Sequence, residues 1–291
     1  MPASPERVPV GRELADVARI GPWFAVGVLP PGRPPAGWRR WDELYTPPGA
    51  GADPLSARIA QVAASLGTGR RVAASIAVQG MAARLVSMPF AAVALHGVLP
   101  RLGELHRDPA ADDPWAPALP AADEVSTAGS SHAGAATFRS AAGSADPGPA
   151  VGVPAGVRTP DPRQDPDGAA DLLARELAGT HLEPLYAAVT ARVSVSERVL
   201  RGNVVSAIAG AARVMEAMRR ADRPAFLALL GALAGHPALR GPLPEGATGR
   251  LLRLDDADPD TEWSFRRRSC CLYVRVPGGG TCGDCVLTTR R

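Results

Sequence analysis

All four cysteines of this chain lie between positions 270 and 285, in the stretch FRRRSCCLYVRVPGGGTCGDCVLTT, and no other cysteine occurs. No disulfide can therefore staple the rest of the chain, which has to hold together by packing alone. At 291 residues it is long enough to bury a core that does so, as one large domain or two small ones. In a reducing compartment, cysteines gathered this tightly read as a metal site or redox centre before they read as structural disulfides.

The packing has to rest on small aliphatic side chains. Hydrophobic residues make up 46% of the chain but aromatics only 4%, so Ala, Leu and Val dominate, and Ala and Leu favour helix. The formal charge of +3 comes wholly from arginine, because the sequence has no lysine. So small an excess does not call for nucleic acid, and no window alternates basic with aromatic residues as stacking platforms do. The N-terminal MPASPERVPVGRELADVARIG lacks the basic start, apolar centre and small-residue cleavage site of a secretory signal, so a cytoplasmic location is expected. The apolar stretch from Arg71 to Leu99 is interrupted by Gln79, Arg84 and Pro89, which favours a buried helical segment over a membrane span.

The pattern predicts a mainly α fold in four parts: residues 1–106 and 168–250 as two halves of a helical body, 107–167 between them, and 251–291 at the end. Prolines punctuate 1–53 into short elements. Asp53-Pro54 supplies an N-cap and a first-turn proline, and Leu55, Ile59, Val62 and Leu66 follow at helical spacing until Gly67. A second helix is expected over Arg71–Ser87, ended or kinked by Pro89, with a third piece over Phe90–His96. Residues 107–167 collapse into Pro, Ala, Gly, Ser and Asp, too little apolar surface to offset ordering entropy, and read as a disordered insertion in which Trp115 makes an isolated contact. Helices are expected again over Ala169–Ala178, His181–Val193, Val195–Arg220 and Pro224–Ala234. In the longest, Leu200, Val204, Ile208, Ala211, Met215 and Met218 share one face. Short strands are expected over Leu251–Leu254 and Cys271–Val276, with Gly278, Gly279 and Gly280 turning the chain back.

Cys270, Cys271, Cys282 and Cys285 have the spacing C-C-x10-C-x2-C. The C-x2-C half is generic: it lets two thiolates grip one metal while backbone N–H groups point at the sulfurs. The adjacent pair is less common, because neighbours on a strand point to opposite faces, so both converge only where Ser269–Cys271 leaves strand geometry. Zinc ribbons usually avoid this with two C-x2-C knuckles, whereas a two-iron cluster spreads its ligands more widely. Ferredoxin-type C-x4-C-x2-C spacing and Rieske histidines are both absent. Iron–sulfur, structural zinc and a thiol–disulfide pair all stay open on spacing alone.

The segment resembles the C-terminal [2Fe–2S] region of ferric-siderophore reductases of the FhuF type. The likeness lies in Arg268-Ser269-Cys270-Cys271-Leu272-Tyr273, Pro277-Gly278-Gly279 and Cys282-Gly283-Asp284-Cys285. His181-Leu182-Glu183-Pro184-Leu185 and Leu200-Arg201-Gly202-Asn203 are similar to that family's helical body, itself similar to the C-terminal part of siderophore synthetases. The likeness spans 54–105 and 168–291. It implies a [2Fe–2S] cluster on the four cysteines, passing one electron to siderophore-bound Fe(III). Hydroxamate oxygens hold Fe(III) tightly and Fe(II) weakly, so reduction is the release step, and hydroxamates are the favoured substrate. No acid–base dyad is needed. A ferredoxin or flavin-dependent reductase is the implied donor, since no strand–turn–helix G-x-G-x-x-G unit exists to bind a nicotinamide. The reading from another class is a non-catalytic siderophore- or protein-binding helical domain whose C-terminus is stapled by zinc or a cluster.

Arg266, Arg267, Arg268 and Arg275 flank the cysteines and can dock an acidic partner, attract an anionic ferric complex, tune the cluster, or form a solvated basic face. Asn203, inside a helix where asparagine has no propensity advantage, is expected to hydrogen-bond a buried loop more than to reach a ligand. His181 reads as a helix-start residue, and His96, His106, His132 and His236 have no metal spacing. Met215 and Met218 read as core.

Overall fold

The computed structural model describes residues 7–47, 52–121, 153–252 and 262–288. Its N-terminal half begins with β1 (Arg7–Pro9), α1 (Gly11–Ala18), β2 (Gly27–Leu29) and β3 (Arg39–Arg40). It continues with α2 (Pro54–Leu66), α3 (Arg70–His96), β4 (Val98–Pro100), β5 (His106–Arg107), β6 (Ala118–Pro120) and β7 (Ala155–Arg158). The C-terminal half holds α4 (Pro166–Leu177), α5 (Glu183–Thr190), α6 (Glu197–Met218), α7 (Arg223–Ala234), α8 (Pro237–Arg240), β8 (Gly249–Leu252) and β9 (Ser264–Arg267).

The centre of the molecule is the long pairing of α3 with α6, flanked by α2, α4 and α7. Small residues line the seam, including Ala73, Ala74 and Ala77 on α3 and Ala207, Ala211 and Ala212 on α6, all buried, so the two backbones approach closely. Asp53 caps α2 as its side chain accepts from Ser56 N at 3.0 Å, and Gly67 closes it in the left-handed conformation. Helix α3 is unbroken: Pro89 lies inside it, fully packed, so burial on the core offsets the hydrogen bond that proline cannot donate. The expected division at Pro89 does not occur. Among the described residues α3 is long and apolar enough to cross a membrane, yet 72% of its most apolar window is buried inside the protein.

Helices α4 and α5 run into each other through a π-helical turn over Ala178–Leu182. Pro184 follows at once, and its missing N–H and ring favour a widened turn at this point. His181 is therefore inside a turn rather than at a helix start. It is buried, with Nε2 at 2.8 Å from Leu102 O and Nδ1 at 3.0 Å from the Tyr45 hydroxyl.

Two short-stranded sheets close one end, a three-stranded antiparallel one in the order β1-β7-β4 and a four-stranded one in the order β2-β6-β5-β3. Both take strands from the 107–167 span, which was expected to be unstructured throughout. Ala118 and Leu119 are buried, β7 joins β1 to β4, and Trp115 packs on the core beneath Arg58 and Arg107. Backbone pairing to partners from the body supplies order that local composition does not. Residues 122–152 of that span lie outside the described residues. Helix α6 also differs in one detail: Met215 is buried but Met218 is 57% exposed, because the helix ends there, beyond the packed seam.

The antiparallel hairpin β8–β9 leads to the cysteines. It pairs Gly249 with Arg267 and Leu251 with Phe265, and lies across α6 and α7. The strand expected at Leu251–Leu254 is thus β8, with residues 253 and 254 outside the described residues.

Candidate metal centre

Strand geometry ends at Arg267, whose N–H donates to Asp284 O at 3.1 Å and ties the two cysteine pairs together. The expected strand over Cys271–Val276 does not form. Leu272 instead takes the left-handed conformation at φ 69°, the one non-glycine residue to do so among the described residues. A single 3₁₀ turn follows over Tyr273–Arg275. The physical reason is the adjacent pair, because an extended chain would send Cys270 and Cys271 to opposite faces. A left-handed leucine is strained, and such strain persists only where surroundings impose it. Here Leu272 and Val276 insert against Val72 of α3, and Leu272 N donates to Cys270 Sγ at 3.3 Å. The second half is a turn in which Cys285 N donates to Cys282 O at 3.0 Å and Leu287 N to Cys285 Sγ at 3.4 Å. Backbone N–H groups thus meet a sulfur in each half, as they do around thiolate-bound metals.

Cys271 Sγ lies 3.5 Å from Cys282 Sγ. That is close to the separation of two thiolates on one tetrahedral metal with bonds of about 2.3 Å. The two thiols share this hydrogen bond, which, helped by the Arg267 charge, lowers the Cys271 pKa and raises that of Cys282. Cys271 and Cys285 are buried, and Cys270 and Cys282 half-buried. All four act electrostatically on Arg267, so one guanidinium has the complete set in range. Among the described residues no three His, Cys, Asp or Glu side chains gather closely enough to hold a single ion.

The bed beneath the cysteines is polar and comes from the helical body. Asn203 on α6 donates through Nδ2 to Ser75 O at 2.7 Å and to Ser75 Oγ at 3.0 Å, and its Oδ1 accepts from Arg267. Ser75 Oγ donates to Cys271 O at 2.8 Å. Asn203 thus joins α6 to α3 and to the end of β9, and touches the cysteine loop only through Ser75 and Arg267, where a direct bond to a buried loop was expected. Ser269 Oγ donates to Arg198 O at 3.1 Å, and α6 accepts the loop at Gly202, where a Cβ would lie 2.5 Å from Ser269 Oγ. Asp284, between the last two cysteines, is buried and accepts from Ser206 Oγ at 2.6 Å and from Arg213. Ser75, Ser206 and Arg213 were not singled out in the sequence, and Asp284 stood there only within the Cys282-Gly283-Asp284-Cys285 likeness. An acid inside the C-x2-C turn is the one local signal among them, since α3 carries two serines, Ser75 and Ser87, that the sequence does not tell apart.

The two softer sequence segments also meet. Arg201, buried on α6, forms a bidentate pair with Glu183 at 2.7 and 2.8 Å, contacts Glu197 at 3.1 Å, and stacks its guanidinium 4.7 Å from the Tyr186 ring centre. The flanking arginines separate: Arg268 and Arg275 are exposed, Arg266 is half-buried opposite Arg250, and Arg267 is buried. Arg250, Arg266, Arg267 and Arg268 line an open pocket of about 260 Å³.

No curated protein and no solved structure matches this chain. Residues 267–287 match the family described as the FhuF 2Fe-2S C-terminal domain. The donor set agrees, with four thiols around one buried cation and N–H groups turned to sulfur. The C-terminal segment is thus similar to an FhuF-type 2Fe-2S domain, and the cofactor this match supports is a [2Fe–2S] cluster.

Proposed function

We propose that the protein is a ferric-siderophore reductase, with Cys270, Cys271, Cys282 and Cys285 as the cluster ligands. The match of residues 267–287 to an FhuF 2Fe-2S domain carries this reading. When bound, the cluster supplies single-electron transfer at a potential set by hydrogen bonds and exposure. The chain's residues supply the setting. Leu272 and Leu287 N–H groups meet sulfurs, Ser75 and Asn203 fix the loop, and Asp284 anchors the second turn on α6. Tyr273, Val274 and Arg275 form one exposed 3₁₀ turn beside the cysteines, at which an acidic one-electron donor docks. One electron then converts hydroxamate-bound Fe(III) to Fe(II), which those hard oxygen donors hold weakly, and the iron leaves. The cytoplasm, where thiolate ligands stay reduced, is the proposed location.

Anaerobically purified protein, reduced with dithionite and mixed with ferric hydroxamates and catecholates, should be reoxidised with stoichiometric appearance of Fe(II) in an Fe(II)-chelator assay. Hydroxamates should react fastest. A Cys282→Ser variant should neither hold the cluster nor support the reaction. A colourless, zinc-containing protein would sink the reductase reading in favour of a binding domain.

A further inference from the structure

Of the four arginines around the cysteines, only Arg267 is sealed from solvent, at 1% exposure. Its Nε donates to Ser269 O at 3.1 Å, and one terminal nitrogen, Nη2, donates to Val199 O at 3.5 Å and to Asn203 Oδ1. All three acceptors are neutral. The other terminal nitrogen, Nη1, is buried with no hydrogen-bond partner among the described residues. A guanidinium does not give up its proton, so a buried cation with an uncommitted N–H is expensive unless negative charge lies in reach. The negative charge in reach belongs to the cysteines, all four of which act on it.

We propose that Arg267 sets the reduction potential of the [2Fe–2S] centre: its uncommitted Nη1–H would be available to a sulfur of a bound cluster, and its buried charge would favour the reduced state. An all-thiolate cluster is anionic and gains one further negative charge with each electron it accepts. A fixed cation in a low-dielectric bed stabilises that form more than the oxidised one. No bond is made or broken at Arg267. The electron comes from the donor and leaves to the acceptor. Asn203 is the positioning residue, since its amide accepts from Arg267 on one side and donates to Ser75, which holds Cys271 O, on the other. The surface arginines, facing water, are screened and have no comparable effect. This inference rests on the cluster and is independent of which molecule accepts the electron.

The test is an EPR-monitored redox titration of full-length holoprotein without any siderophore, so it stands even if the proposed substrate is wrong. Arg267→Met should lower the reduced-to-oxidised ratio at a fixed potential at least tenfold, about 59 mV for a one-electron couple. Arg267→Lys, which keeps the charge, should recover part of the loss. An unchanged midpoint in Arg267→Met, or an equal fall in Arg267→Lys, overturns the proposal. Should Arg267→Met fail to load a cluster, the wild-type residue at 267 carries the test. Protein labelled with [15N]arginine, with Arg266, Arg268 and Arg275 all changed to Lys, should show a nitrogen hyperfine coupling to the reduced cluster in pulsed EPR. Absence of that coupling overturns the proposal.

Discussion

The helical body and the cysteine segment are held by opposite means. The body rests on an extended apolar core in which Leu85, Leu185, Leu200, Leu229 and Leu230 are essentially inaccessible to water. The segment over 262–288 contributes few apolar anchors, chiefly Phe265, Leu272 and Val276. It is fastened to α3 and α6 by directed bonds from Ser75, Arg198, Asn203, Ser206 and Arg213. Apolar packing is non-directional and tolerates repacking, whereas a polar bed fixes position and fails abruptly when one partner is lost. The body therefore supplies stability, and the segment supplies placement of the sulfurs.

The sharpest break between the two should come from Cys282→Ser. It should abolish iron binding while leaving the far-UV circular dichroism of the helices nearly unchanged; loss of the helical signal would show that the two regions fold as one. In the reverse direction, Leu230→Ala should destabilise the body by about 3 kcal/mol in urea unfolding, with the cluster's EPR spectrum unaltered. Arg201→Ala removes a buried cation whose two glutamates are half exposed, and should cost about 2 kcal/mol, again read by urea unfolding. Asp284→Asn loses the charge that pairs with Arg213. It should cost about 1 kcal/mol and raise amide hydrogen exchange in 267–287 without affecting α4 or α7.

The smallest effect is one of pH in the body. Burial holds the His181 pKa below its ordinary 6.5. As pH falls through that value the unfolded chain binds a proton that the folded one refuses, so stability declines from pH 7 to pH 5. The melting temperature of His181→Gln should fall less steeply over that range.

How far the sequence could be read follows the same division. Helices α2, α6 and α7 were legible because Asp53-Pro54, a three-and-four spacing of apolar residues and Pro224 are local signals. Continuity of α3 through Pro89 was not, since it depends on the neighbours that bury the proline. Nor were β6 and β7, whose pairing partners lie far away in sequence. In the segment the four sulfurs were legible from residue type, and the need to leave strand geometry followed from Cys270 and Cys271 being adjacent. The means of leaving it, a left-handed Leu272, was hidden, because nothing about leucine signals that conformation. Arg267 stood among four apparently equal arginines, and only tertiary burial separates it from the others.

Gly202 gives the junction a depth. A glycine within a helix costs about 1 kcal/mol relative to alanine. At this position the missing methyl lets Ser269, one residue before the first cysteine, settle onto the helix backbone. A methyl there would push the Ser269 hydroxyl off its bond to Arg198 O. Residue 202 thus sets how closely the loop before the cysteines seats on α6, and a single substitution there would loosen that seat without touching a cysteine.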